Sequence, residues 1–258
     1  MSNTLYWQVS GQGDDLVLIH GWGMNGAIWQ KIVETLSGSF RVHVVDLPGH
    51  GHSHHCDANN IEEIAQQLIV NAPKNAIWIG WSLGGLIATH VALYHKDHVK
   101  KLVTVASSPK FSADEKENEW QGIKPELLIH FTEQLKDDFQ TTIERFIALQ
   151  SMGSQTARQD VKGLKQVLLS RPLPSLNSLL VGLKILSDID FRAQIQHISI
   201  PTLRLYGLQD NIVPAKVIND IEKLLPNTEQ YIFTNSSHCP FMTETELFCD
   251  KLLYFANQ

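Results

Sequence analysis

Two groups of residues in this 258-residue chain have side chains that could do chemistry. The first is crowded. The stretch GHGHSHHCD, residues 49–57, holds four of the twelve histidines, His50, His52, His54 and His55, with Cys56 beside them. Imidazole and thiolate both bind metals. No helical pattern presents these histidines as a fixed pair, and Asp57 is the only acid placed with them. His54, His55 and Cys56 are expected in an exposed run before the next helix, where adventitious metal binding at most is expected, and no metal site is assigned. The second group is dispersed. Gly80-Trp81-Ser82-Leu83-Gly84 is a G-x-S-x-G pattern, and Asp210 and His238 follow far downstream.

A serine hydroxyl is a poor nucleophile at neutral pH and needs an adjacent base. The strand–turn–helix context of a nucleophile elbow runs in the order serine, acid, histidine. Here a strand-like AIWIG precedes Ser82 and an apolar-periodic helix follows it. Taken alone, the same letters describe a glycine-rich turn with Ser82 as a helix N-cap. The partners tip the balance. His238, in TNSSHCP, is the expected base, and Asp210, in YGLQDNIVP, is expected to hold its imidazole. Asp210 also reads as a turn residue before a helix after Pro214. Asp188 and Asp190 are weaker competitors, because no clear strand precedes them. A tetrahedral intermediate further needs donors aimed at its oxygen. The Leu83 N–H, just after the nucleophile, is one. The Trp22 N–H, in the loop His20-Gly21-Trp22-Gly23, is the other. His20 sits before the glycine turn and is expected to brace that loop.

Elements must bring these distant residues together. Apolar runs at 15–21, 41–49, 75–82, 99–108, 202–210 and 230–238 read as strands, and their near-continuous apolarity predicts a mostly parallel sheet buried on both faces. Helical periodicity fills 27–36, 60–71 and 83–95. Thr243 and Glu246 have capping-box spacing before a last helix. The alternation predicts a doubly wound α/β fold. It stops between about 110 and 195, where the pattern is helical and too long for a loop. The expected organisation is a core of residues 1–110 and 195–258 with a helical cap at 111–194.

Composition narrows the classes. The chain is 43% apolar and 19% charged, which is ordinary for a globular protein. No apolar run is long enough to span a bilayer, and no signal-peptide pattern opens the sequence. Three cysteines without zinc spacing suit a reducing cytoplasm. A net charge of −6 argues against a globally basic nucleic-acid binder. The balance nevertheless reverses locally. Residues 111–144 carry a net of −6 and residues 145–184 a net of +5.

HGWG, DLPGHG, GWSLGG, YGLQDNIVP and the late SSH resemble the α/β-hydrolase superfamily over nearly the whole chain. The tryptophan before Ser82, VTVASSPKF, WQGIKPELL and the segment ERFIALQSMGSQTARQD narrow the resemblance. They are similar to the carboxylesterase family of biotin synthesis, which acts on the methyl ester of a pimeloyl chain carried on acyl carrier protein. The resemblance implies that role, with no metal and no organic cofactor. It implies a substrate pocket of Trp22, Trp81, Leu83, Phe146, Gln150 and His238. Phe146 also reads as simple packing within the cap.

Arg158, Lys162 and Lys165 share one face of a helix, and Arg145 joins them if the cap folds as a hairpin. Such a stripe is usually a solvated surface. Acyl carrier proteins are acidic, so Arg145, Arg158 and Lys162 are expected to dock the carrier. A monomer is expected, with neither nucleic acid nor membrane as partner. Fold alone does not separate a carrier-specific esterase from a broad small-ester hydrolase or a carbon–carbon bond hydrolase. A catalytically dead interaction protein would have no use for the complete triad and glycine loop.

Overall fold

The computed structural model describes residues 4–114 and 120–258. The chain runs β1 (Trp7–Ser10), β2 (Asp14–Ile19), α1 (Gln30–Leu36), β3 (Phe40–Val45), α2 (Ile61–Asn71), β4 (Ala76–Trp81), α3 (Leu83–Tyr94) and β5 (Val99–Val105). Four helices follow: α4 (Pro125–Asp137), α5 (Phe139–Ser151), α6 (Ala157–Leu169) and α7 (Leu176–Asp188). The chain then resumes as β6 (Thr202–Gly207), α8 (Ala215–Leu224), β7 (Glu229–Phe233), α9 (Pro240–Thr243) and α10 (Thr245–Ala256). Among the described residues, no helix is long and apolar enough to cross a membrane.

The sheet order is β1-β3-β2-β4-β5-β6-β7, all parallel except β1, which pairs antiparallel with β3. This is the doubly wound, mostly parallel α/β architecture expected from the apolar runs. Strands β4 and β6 are buried at every residue, because helices cover both faces. The chain winds outward from β2 to β3, then crosses back to place β4 beside β2. The loops leaving β2 and β4 therefore open at the topological switch point, where ligands bind in such sheets. The first loop carries Trp22 and the second carries Ser82.

Three local expectations are corrected. The edge strand β1 was not foreseen: at four residues, with little burial, it leaves almost no periodic signal. Thr243 does not cap α10, whose N-cap is Glu244 with no side-chain cap bond. The chain is already helical at Pro240–Thr243, and the Thr243 hydroxyl turns back to the Cys239 carbonyl. Cys56 does not lie in an exposed run with His54 and His55; its side chain is buried in the core.

Helices α4–α7 lie between β5 and β6, with α5 packed against both α4 and α6, and α4 against α7. Asp46, at the end of β3, ties this insertion to the core. Its fully buried carboxylate accepts from the Arg171 guanidinium and from the Gly26 and His52 backbone N–H groups, each at 2.7 Å. Arg171, beyond α6, thus fixes both core loops and the insertion. Asn25 donates to the Val167 carbonyl at 3.0 Å, and the Ser175 N–H donates to the Gly49 carbonyl at 2.8 Å. Beneath them lies His20. Its Nε2 accepts the Leu47 N–H at 3.0 Å, so the ring proton resides on Nδ1 and is donated to the Gly21 carbonyl at 2.8 Å. Burial, reinforced by the neighbouring His50, pushes His20 down to about 3, so the brace stays neutral. Burial also lowers His50, whose Nδ1 donates to the Pro48 carbonyl at 2.9 Å.

Two outcomes follow for stability. Arg171→Met leaves a buried carboxylate with its charge uncompensated and is expected to cost about 3 kcal/mol; an unchanged urea midpoint contradicts this. His20 and His50 bind a proton when unfolded below about pH 6.5 but resist it when folded. Their contribution is intact above that pH and is lost as pH falls toward the folded values. Each adds up to about 1.4 kcal/mol per pH unit to the slope. Urea titrations at pH 6.5 and 5 should show this decline, and His20→Gln should flatten it; an equal slope in the variant refutes the assignment.

Candidate active site

The site is built around one strained residue. Ser82 joins β4 to α3 with φ of +55°, in the left-handed region, which costs a non-glycine residue about 1–3 kcal/mol. Its backbone is held from two sides. The Ser82 N–H donates to the Val105 carbonyl at 2.9 Å, and the Ser107 hydroxyl donates to the Ser82 carbonyl at 2.8 Å. A Cβ on Gly84 would lie 2.6 Å from the carbonyl oxygens of Ile19 and His20, and one on Gly80 would strike the Gly84 backbone. The glycines of the motif are thus required by close approach of α3 to β2 and β4. Ser82 occupies the N-cap position of α3, yet its side chain makes no capping bond. The hydroxyl is directed elsewhere.

It meets the imidazole of His238, with Nε2 at 2.9 Å from the Ser82 Oγ. Nδ1 of the same ring lies 2.8 Å from Asp210 Oδ2. The carboxylate is an acceptor, so Nδ1 carries the proton and Nε2 is free to accept one from serine. The other oxygen, Oδ1, accepts the N–H groups of Ile212 and Val213 at 2.8 and 3.1 Å. Both readings of Asp210 therefore hold together: it shapes the turn after β6 and orients the imidazole. All three residues are buried. Asp188 and Asp190 lie elsewhere, in ion pairs with Lys184 and Arg192.

The loop after β2 closes over the serine. A Cβ on Gly21 would lie 3.2 Å from the Ser82 Cβ. Trp22 follows it, and Leu83 opens α3, where first-turn N–H groups have no intrahelical acceptor. The Trp22 indole donates to the Leu179 carbonyl of α7 at 2.9 Å, and its ring packs 4.5 Å from that of Phe146 on α5. Gly182 of α7 packs against the side chains of both Trp22 and Leu83. One turn beyond Phe146, the Gln150 carbonyl accepts the His238 N–H at 3.2 Å. Its buried side-chain amide has no partner among the described residues. Trp81 is placed differently from the others. Its indole donates to the His238 carbonyl at 2.8 Å and its ring packs on His238 and Phe241, so it supports the histidine from the core side.

The basic residues divide. Arg145, Arg158 and Lys162 are exposed. Arg145 donates to Gln134 on α4, and Lys165 pairs with Glu144 at 2.8 Å. Among the described residues, Arg158 and Lys162 form no ion pair. In the early histidine cluster, His50 turns inward while His52, His54 and His55 stay exposed. Among the described residues, no three His, Cys, Asp or Glu side chains group to hold a metal ion. Sequence reasoning assigned no part to Ser107, Ser237 or Met152. Ser107 stands in VASSP, immediately after a strand, which was the available signal. The others act through contacts between segments remote in sequence.

Comparison with known proteins places the chain. The alpha/beta hydrolase fold model matches residues 15–245. A pimeloyl-[acyl-carrier protein] methyl ester esterase from Vibrio atlanticus (strain LGP32) is 66% identical over 258 residues, covering 100% of both chains. Its counterpart from Vibrio vulnificus (strain CMCP6) is 62% identical over the same span, again covering 100% of both. An esterase from Exiguobacterium antarcticum superposes with a TM-score of 0.86 at 20% identity, over 98% of this chain and 96% of that one, which speaks for the fold alone. With its sheet, its elbow and its full-length relatives in agreement, the chain belongs to the alpha/beta hydrolase fold family, in the group of the pimeloyl-[acyl-carrier protein] methyl ester esterases.

Proposed function

We propose that this protein is a serine carboxylesterase that hydrolyses the methyl ester of a pimeloyl chain borne on acyl carrier protein, releasing the free acid for biotin synthesis. The hydrogen-bonded series Ser82–His238–Asp210 is the observation that carries the chemistry. The names of the Vibrio relatives support the substrate.

In this mechanism the Ser82 Oγ attacks the ester carbonyl carbon while His238 Nε2 takes its proton. Asp210 holds Nδ1–H and stabilises the imidazolium that forms. The oxyanion is held by the N–H groups of Leu83 and Trp22. As the intermediate collapses, His238 returns the proton to the leaving methoxide, and methanol departs. Water then attacks the acyl-serine through the same histidine, and the carboxylic acid and Ser82 are regenerated. Phe146, Gln150, Trp22, Leu83 and His238 contact the acyl chain. Trp81 contributes from behind, by holding His238. The helices within 111–194 act as a cap over a core of 1–110 and 195–258. Arg145, Arg158 and Lys162 present positive charge to the acidic carrier.

Ser82→Ala is expected to lower turnover of the pimeloyl-carrier methyl ester and of a short nitrophenyl ester by at least about 10⁴-fold, with folding intact. Near-full turnover removes the assignment. The wild type should also rescue growth of a biotin auxotroph lacking its own esterase. Reversing the charge of Arg145, Arg158 and Lys162 together should slow turnover of the carrier ester about tenfold or more, and added salt should mimic this in the wild type. A carrier-ester rate indifferent to both rules out the docking surface.

A further inference from the structure

We infer that the turn between α5 and α6 is a positioning element for the His238–Asp210 pair, and that Ser237 and Gly153 are its positioning residues. The inference rests on the reading of Ser82, His238 and Asp210 as the catalytic triad.

The turn touches both loops that carry the histidine and its acid. The Gln150 carbonyl accepts the His238 N–H at 3.2 Å. The Met152 carbonyl accepts the Ser237 hydroxyl at 2.9 Å and the Asn211 amide at 3.3 Å. Ser237 immediately precedes His238, and Asn211 immediately follows Asp210. Gly153 has φ of +90°, and a Cβ there would lie 2.9 Å from the carbonyl oxygen of Gln209, the residue before Asp210. The two loops are themselves joined, since the Gln209 N–H donates to the Ser236 carbonyl at 3.0 Å. The backbone of His238 is thus held at both ends by different parts of the molecule. Its N–H is held by the helical insertion, and its carbonyl by Trp81 of the core at 2.8 Å.

The turn has the internal bracing that such a role requires. Asp160, buried in the first turn of α6, accepts the Ser154 hydroxyl at 2.6 Å and the Thr156 hydroxyl at 3.0 Å. The peptide from Met152 to Ser154 is therefore anchored to α6 as well as to α5. Ser82, Trp22, Phe146, Gln150 and His238 are at most 2% exposed. The insertion thus contributes Phe146 and Gln150 to this buried cluster. A shift of α5 is felt at the His238 N–H through the Gln150 carbonyl, and at both loops through Met152. The position of the base is thereby coupled to the placement of α5 and the turn after it. A misplacement of about 1 Å in a catalytic group can cost about 10²-fold in rate.

The test uses the full chain and a short nitrophenyl ester, which needs no carrier. Active sites are counted by fluorophosphonate labelling, so that each rate refers to competent protein. Gly153→Ala, which presses a methyl against Gln209, and Ser237→Ala, which removes the hydroxyl's bonds to the Met152 and Gln209 carbonyls, should each lower kcat about tenfold or more. They should also displace the pH profile of kcat/KM, because the hydrogen bond from His238 to Asp210 is re-aimed. Ser237→Thr keeps the hydroxyl and should restore both. Asn211→Ala, at an exposed position, removes only the two 3.3 Å bonds from its amide to the Met152 and Gln209 carbonyls, and should shift the same profile in the same direction by less. If all the folded variants keep the wild-type kcat per labelled site and the wild-type pH profile, the turn has a structural role only and the inference is overturned. Failure of the triad reading itself shows separately, as turnover surviving in Ser82→Ala.

Discussion

Much of this molecule is arranged around a serine held at positive φ between a strand and a helix. The left-handed backbone at Ser82 is unfavourable by itself, and the surroundings over-determine it. Val105 and Ser107, from the end of the next strand, grip its peptide. Gly80 and Gly84 remove the side chains that would keep β4, α3 and β2 apart. The consequence is chemical. With the backbone turned this way, the hydroxyl is withdrawn from the helix cap and offered to His238. A residue that would ordinarily stabilise a helix end is thereby turned toward an imidazole.

The surrounding loops follow a common plan, in which buried neutral or paired groups hold backbone. His20 is kept uncharged by burial and can therefore accept one N–H while donating to a carbonyl, bridging the loops after β2 and β3. Asp46 is surrounded by Arg171 and two N–H groups, and it gathers the same two loops with the insertion. Trp81 and Trp22 use their indole donors on the carbonyls of His238 and Leu179. In each case a side chain contributes rigidity to a loop that carries a functional group, which is what loop-borne sites on a parallel sheet need.

The insertion is more than a cover. On one side it is fastened to the loop after β3 through Arg171, Ser175 and Ser178. On the other it reaches the loops bearing Asp210 and His238 through Gln150 and Met152. Its outer surface carries the basic residues on α5 and α6, while its inner surface supplies Phe146 and the carbonyl that holds the histidine. One pair of helices thus presents positive charge outward and holds the His238 backbone inward.

The residues of the site were legible in the sequence to the extent that chemistry constrains local pattern. A strand, a tight glycine turn and a helix around Ser82, a late histidine and an acid after a strand can be read without coordinates, because each is tied to an element with its own periodicity. The buried parallel strands and the helical insertion were legible for the same reason. The edge strand β1 and the start of the last helix were not. Four residues, three half-buried and one exposed, are too few to establish a period, and Thr243 was already committed to the preceding turn.

Other features depend on which distant segments meet, and only the folded chain decides that. The burial of Cys56, the diversion of Lys165 into a pair with Glu144, and the grip of Trp81 on His238 are fixed by contacts between segments 21 to 157 residues apart or by enclosure in the core. The same holds for the hydrogen bonds from the α5–α6 turn to the triad loops. The sequence by itself determined the residue types and local elements around Ser82, Asp210 and His238 and the layers that carry them, since those are written in residue type and local spacing. The tertiary structure decided what holds each of them still, since that depends on burial and on the meeting of backbone groups that no local pattern specifies.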